Sequence, residues 1–256
     1  MMDCQLYYKE KVGFINKVLF MTKKESLSRK NKKTYIISLG GSLIVPDEVD
    51  YKFIKNFRKL ILKKVKRGNK FIIMCGGGGL NKKYNDAAKK IKKLNDGELD
   101  WIGIYATRYN AQLMRILFGD LACKEIITNP HRKIATNKPI IVGSGYIPGW
   151  STDYDTVYIA KTYSINNLAN LSNIDYAYDK DPKKYKNAKP IKNINWKDFR
   201  KIVGNKWEPR MNKPFDPVAS REAEKLGIEV TILNGRKLKN FENYLDGKKF
   251  AGTAIK

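Results

Sequence analysis

A chain of 256 residues can bury a sizeable core and suits one large α/β domain better than two independent ones. Its 51 Lys and Arg against 25 Asp and Glu give a net charge of +26, but the basic residues are spread among many Asn, Ile and Tyr, so no specific nucleic-acid partner is expected. Three distant cysteines (Cys4, Cys75, Cys123) form no Cys-x-x-Cys pair and suggest a reducing cytoplasm, while a lone histidine, His131, excludes multi-His metal centres.

In chain order, Val12–Met21 is apolar but short and interrupted by Lys17, and no apolar run approaches the ~20 residues that span a bilayer. Neither a signal peptide nor a membrane partner is expected. Residues 22–33 have the composition of a solvated tail, so 1–33 is expected to be a flexible basic extension and 34–256 the folded domain. TYIISL (34–39) reads as a buried strand running into Gly40-Gly41. Phe53, Ile54, Phe57, Leu60, Ile61 and Val65 recur at helical spacing before Gly68-Asn69, and FIIMC (71–75) is again a buried strand. Helices are expected over about 80–94 and 100–118, then strands at 125–128 and 139–143. A helix over 154–163, a strand over 167–171 and an irregular stretch over 173–189 follow, then a helix over about 216–226, a strand over 228–233, a short helix near 241–245 and a last strand, GTAIK. Strands alternating with helices predict a three-layer αβα sandwich with a mostly parallel open sheet. The lysine-rich runs read as solvated helix faces.

Four consecutive glycines, Gly76–Gly79, stand between a strand and a helix. Without Cβ atoms, such a run lets main-chain N–H groups face a phosphate at a helix N-terminus, though a tight turn has the same composition. LGGSL (39–43) repeats the device, and GSGYIPGWSTD (143–153) places a third glycine turn after a third strand. In a parallel sheet all three lie on one edge, at the strands' carboxyl ends. Three such turns can hold two phosphorylated molecules. None fits the P-loop pattern or the dinucleotide pattern.

LGGS, CGGGGLNKKY, DWIGIYATRYNA (100–111), GSGYIPGWSTD, SNIDYAYDKDPKKY (172–185), PFDPVAS (214–220) and the terminal GTAI occur in the order found in the amino acid kinase superfamily, and the chain resembles its archaeal-type uridylate (UMP) kinase branch over about residues 34–256. The resemblance implies phosphorylation of UMP to UDP by ATP with Mg²⁺, in pyrimidine nucleotide synthesis, by a homo-oligomer, commonly a hexamer. By position, Gly41 and Ser42 resemble the turn over the ATP phosphates, Gly77 a contact to the UMP phosphate and Gly78 a contact to ATP. Asp100 matches the acid that binds the UMP ribose, and Tyr146, Ile147, Pro148, Gly149, Trp150, Ser151 and Thr152 the segment wrapping UMP. Ser172, Tyr178 and Asp181 fall where the family holds the nucleoside of ATP, and Asp153 and Asp216 match the acids of the reaction centre. No protein metal site is implied; Mg²⁺ enters with ATP.

Those residue types suit phosphoryl transfer, which needs alignment and charge neutralisation more than covalent help. Asp100, Asp153 and Asp216 would also serve as helix N-caps, and Trp150 as a core residue. The sequence departs from the family at four places. Ser38 stands where many members carry a phosphate-bridging lysine, Lys82 replaces an arginine of the ATP side, Tyr176 replaces a glycine, and residues 205–214 are unusual. Two other readings stay open: a kinase for another small acid or phosphate, and a non-catalytic nucleotide sensor or nucleic-acid-binding regulator, the latter suggested by the charge and by Ser38.

Overall fold

The computed structural model describes residues 33–182, 184–204 and 213–256. The expected extension, apart from Lys33, and most of the unusual 205–214 segment lie outside the described residues. Within them the order is β1 (Thr34–Leu39), α1 (Gly41–Ile44), α2 (Tyr51–Val65), β2 (Lys70–Cys75), α3 (Gly78–Ile91), α4 (Asp96–Phe118), β3 (Ile140–Gly143), α5 (Thr152–Tyr163) and β4 (Asn167–Ser172). Then come β5 (Ala177–Tyr178), β6 (Pro190–Ile191), β7 (Asn193–Ile194), α6 (Trp196–Val203), α7 (Pro217–Leu226), β8 (Glu229–Asn234), α8 (Leu238–Leu245) and β9 (Thr253–Ile255).

The main sheet has seven strands in the order β3-β2-β1-β4-β8-β9-β7. The first five are parallel; β9 turns antiparallel on β8, and β7 follows β9. Successive strand residues face opposite sides. Thus Ile37, Leu39, Ile73 and Cys75 join a core with α1, α2, α4 and α8, whereas Ile36, Ile72 and Met74 join a second core with α5, α6 and α7. The molecule is a three-layer αβα sandwich, as the alternation of elements predicts.

Local signals set the helix limits. Asp50 caps α2 by accepting from the Phe53 N–H at 2.9 Å, and Asn95 with Glu98 forms a reciprocal capping box on α4. Gly227, at φ 63°, ends α7 in a left-handed turn. Two expectations change. Residues 125–128 form no strand; Ile127 makes only an isolated bridge to Gly143. The apolar run there is too short and its neighbours too polar for a ladder. Helix α6 has no counterpart in the sequence reading, although Trp196, Phe199 and Val203 give it a buried stripe.

A third correction concerns the lysine-rich faces. Lys64 is fully buried, its Nζ 2.6 Å from Asp246 Oδ1 and 3.2 Å from Glu242 Oε1, so it bolts α2 to α8. Lys63 also bonds Glu242 but from a half-exposed position. Removing a buried partner leaves its acids short of charge, whereas an exposed pair contributes little. Lys64→Ala is therefore expected to lower unfolding free energy by ~3 kcal/mol and Lys63→Ala by less than ~1 kcal/mol, read from urea denaturation.

Candidate active site

The first two glycine turns meet backbone to backbone. They leave adjacent parallel strands at the paired residues Leu39 and Cys75. A Cβ on Gly41 would lie 2.1 Å from Gly78 N, and one on Gly78, whose φ is +59°, would lie 2.2 Å from Gly41 O. No side chain fits at either place. The N–H groups of Gly40, Gly76 and Gly79 are spent on the oxygens of Leu171, Leu39 and Val45. Among the described residues those of Gly41, Ser42, Gly77 and Gly78 have no partner. Gly41 and Ser42 open the one-turn helix α1, Gly77 caps α3 and Gly78 opens it, so four free donors stand at two adjoining helix starts, where the dipole of α3 adds positive potential.

Helix α4 fixes the loops around these donors. Asn110 Nδ2 donates to the oxygens of Gly76 and Gly77 at 2.8 and 3.2 Å. Thr107 Oγ1 accepts from Gly145 N at 2.8 Å, and Arg108 donates to Tyr146 O at 3.4 Å. Asp100 Oδ2 accepts from Gly149 N at 2.8 Å, joining α4 to the third glycine turn. Asp100 lies inside α4, whose cap is Asn95, so a capping role is excluded for it.

A cavity of about 260 Å³ runs between α3, α4 and the third turn. Of the expected acceptor residues, Gly77, Asp100, Trp150, Ser151 and Thr152 line it. Tyr146, Ile147, Pro148 and Gly149 do not line it; they form the turn behind, with Ile147 exposed and Tyr146 packed edge-on against His131 and Trp150. On the other side of the two glycine turns, Gly40 N bonds Leu171 O and Gly235 N bonds Ser172 O, which brings Ser172 beside Gly40. Tyr178 sits in the small β5–β6 ribbon and Asp181 heads the turn after it. Lys82 is exposed on α3 and outside the cavity lining.

Behind the glycine turns stand three acids, Asp153, Asp155 and Asp216. Asp153 accepts from Ser38 Oγ at 3.1 Å, Asn170 Nδ2 at 3.2 Å and Asp216 N at 3.3 Å. It is the second residue of α5, whose cap is Ser151, so capping is excluded for Asp153 also. Asp216 does cap α7, accepting from Ala219 N at 2.6 Å. Of Asp100, Asp153 and Asp216, only Asp216 therefore meets the capping expectation. Burial, with Asp216 nearby, pushes Asp153 up to about 7. Burial raises Asp216 as well. No lysine or arginine pairs with any of these acids among the described residues; Ser38 on β1 holds Asp153 instead. The cation at the first turn is Arg236, which donates to Ser42 O at 3.4 Å and pairs with Asp50 at 3.0 Å.

Sequence reasoning passed over Asp155, Asn81, Asn85, Thr107 and Asn110. Asp155 is fully buried; Oδ2 accepts from Tyr146 N at 3.2 Å and Oδ1 has no partner. Burial, reinforced by Asp153, pushes it up to about 8. The available signal was periodic: Asn81 and Asn85, like Thr107 and Asn110, are polar residues on otherwise inward-facing helix stripes.

Residues 33–234 match the model of the Amino acid kinase family. The chain belongs to that family. It is 29% identical over 225 residues to the uridylate kinase of Methanospirillum hungatei, covering 87% of this chain and 94% of the relative. It is 28% identical over 217 residues to the uridylate kinase of Sulfurisphaera tokodaii, covering 83% and 95%. The crystal structure of uridylate kinase from Archaeoglobus fulgidus superposes with a TM-score of 0.73 at 26% identity, over 88% of this chain and all of that one.

The three acids make stability depend on pH. Their carboxyls hold protons in the folded state at pH values where the unfolded chain has released them, so this contribution is complete below about pH 4 and is lost as pH rises through about 8. Asp155→Asn removes one titration. The variant should gain melting temperature relative to the parent as pH goes from 5 to 9; a difference independent of pH would show that Asp155 ionises normally.

Proposed function

We propose that this chain transfers the γ-phosphoryl group of ATP to UMP, giving UDP and ADP, a step of pyrimidine nucleotide synthesis. The observation that carries the reading is the contact of two glycine turns with four unpaired N–H groups between them. Two phosphate chains seated there would lie close enough for direct transfer. The relatives named as uridylate kinases, matched over nearly their whole length, support UMP as the acceptor.

In this reading Gly41, Ser42 and Gly78 bind ATP phosphates and Gly77 the UMP phosphate. Asp100 takes the ribose, while Trp150, Ser151 and Thr152 wall the acceptor, backed by the turn from Tyr146 to Gly149. Ser172, Tyr178 and Asp181 face the nucleoside of ATP, and Lys82 adds a point charge at the mouth. Fixed amides favour the charge that develops on the transferring group without reorganising during the step. Asp153 and Asp216 lack a cationic partner among the described residues, which fits a cation that arrives with the donor. Mg²⁺ bound with ATP would neutralise phosphate charge, and the two acids would orient its waters. Their carboxyls ionise readily only when that charge is present, because burial otherwise keeps them high.

A homo-oligomer, hexameric by resemblance, is proposed as the working state. Its motivation on the surface is an exposed aromatic stripe along α4, at Trp101, Tyr105 and Tyr109.

The test is ADP release measured with UMP, CMP, dTMP, carbamate and acetylglutamate as acceptors. UMP should give the highest kcat/KM; turnover of another acceptor alone would overturn the reading. Asp216→Asn should fold because Asn also caps a helix, and Asp153→Asn because it keeps the shape of the side chain; each should lose roughly a hundredfold in kcat, ~3 kcal/mol of transition-state stabilisation, with little change in KM. Normal turnover in both would leave the acids purely structural.

A further inference from the structure

Trp150 lines the cavity, yet the backbone beside it is loosely packed. Gly149 precedes it at φ 82°, with no atom within 4 Å of where a Cβ would stand. The main chain there is tied by Gly149 N to Asp100 and by Trp150 N to Ile147 O at 3.3 Å. Neither bond fixes the direction of the indole. The ring is placed instead by four others, whose centroids lie at 4.5 Å (Tyr154), 5.1 Å (Tyr158), 5.5 Å (Tyr146) and 5.5 Å (His131).

Three of these rings come from the same stretch of chain. Tyr146 belongs to the third glycine turn, and Tyr154 and Tyr158 stand one turn apart on α5. His131 alone of the four is brought from elsewhere, on the segment between α4 and β3. That segment is tied to the last turn of α5: Thr162 Oγ1 donates to Pro130 O at 2.6 Å, and Ile134 N donates to Tyr163 Oη at 3.0 Å. Between these two anchors the imidazole meets Tyr158 at 4.9 Å, Trp150 at 5.5 Å and Tyr146 at 5.9 Å, with interplanar angles of 74°, 72° and 77°. Edge-to-face pairs at such separations are favourable beyond the area they bury. His131 thus joins α5, the third turn and Trp150 in one packed cluster. The imidazole does not itself line the cavity, so it acts on a bound molecule only through its neighbours, of which Trp150 lines it.

We propose that His131 is a positioning residue for the acceptor: it holds the Trp150 ring where that ring walls the cavity, so that losing the imidazole weakens acceptor binding and leaves ATP binding unchanged. The inference rests on the acceptor reading given above and deepens it.

The full chain and its His131→Ala, His131→Phe, Trp150→Ala and His131→Ala/Trp150→Ala variants are assayed with ATP and UMP, alongside melting temperatures. His131→Ala should raise KM for UMP roughly three- to tenfold, the worth of one or two ring contacts, with KM for ATP and kcat unchanged. His131→Phe, which keeps a ring, should return most of that loss. Trp150→Ala should also raise KM for UMP, and adding His131→Ala to it should change little, because a residue that acts through another has no effect once the other is gone. Should His131→Ala melt below the assay temperature, His131→Gln, which keeps bulk without a ring, takes its place. An unchanged KM for UMP in the folded variant overturns the inference. So does a rise shared equally by UMP and ATP, which would mean a general loosening, or a full further loss in the Trp150→Ala background, which would mean that His131 acts by another route. A folded parent with no turnover of UMP removes the acceptor reading itself.

Discussion

Everything at this site depends on two peptide backbones touching. Gly41 and Gly78 approach so closely that a methyl group on either would overlap the other's main chain. That contact is possible because β1 and β2 are parallel neighbours in register to their ends, so the chain leaves both strands at the same level. Any side chain there would push the turns apart, separate the free N–H groups and open the space over which a phosphoryl group would have to move. The glycine run is thus required by packing and by ligand chemistry together. Only Gly78 of the four needs a left-handed backbone; Gly76 and Gly79 need the close approach alone.

The surrounding structure holds this contact in place. Helix α4 reaches the second turn through Asn110 and the third through Asp100, Thr107 and Arg108, so one rigid element sets the shape of the cavity between them. On the opposite face of the sheet, α5 and α7 present Asp153 and Asp216 from their N-terminal ends, and Ser38, on the same face of β1, fixes Asp153. The arrangement concentrates unpaired N–H dipoles in front and protonatable carboxyls behind. Under the proposed reading, such a site would be poorly compensated when empty and well compensated once phosphates and a cation entered together. Binding and charge neutralisation would then be a single event.

Much of this was legible in the sequence because periodicity and glycine placement report backbone requirements directly. The strands at 34–39 and 71–75, the helix from Phe53 to Val65 and the meeting of three glycine turns on one edge follow from local pattern. The residues overlooked share a different property. Lys64, Asp155, Asn81 and Asn85 are polar residues whose importance arises from what lies opposite them in three dimensions. Lys64 looks like a member of a solvated run until α8 places Asp246 and Glu242 beside it. Asp155 resembles any acid in a helix's first turn until burial leaves one oxygen without a partner. The capping alternatives for Asp100 and Asp153 likewise depended on helix limits that shifted by a few residues, to Asn95 and Ser151.

The central claim is that two phosphate-bearing molecules meet over the Gly41–Gly78 contact, and a bisubstrate ligand tests it most directly. Adenosine and uridine joined 5′ to 5′ through a polyphosphate bridge should bind the full chain on the order of a hundredfold more tightly than ATP or UMP alone, because the second half binds at high effective concentration, and should compete with both. Affinity no better than that of ATP, with UMP still binding alongside, would mean that the two turns serve one phosphate chain and that the account of the site is wrong.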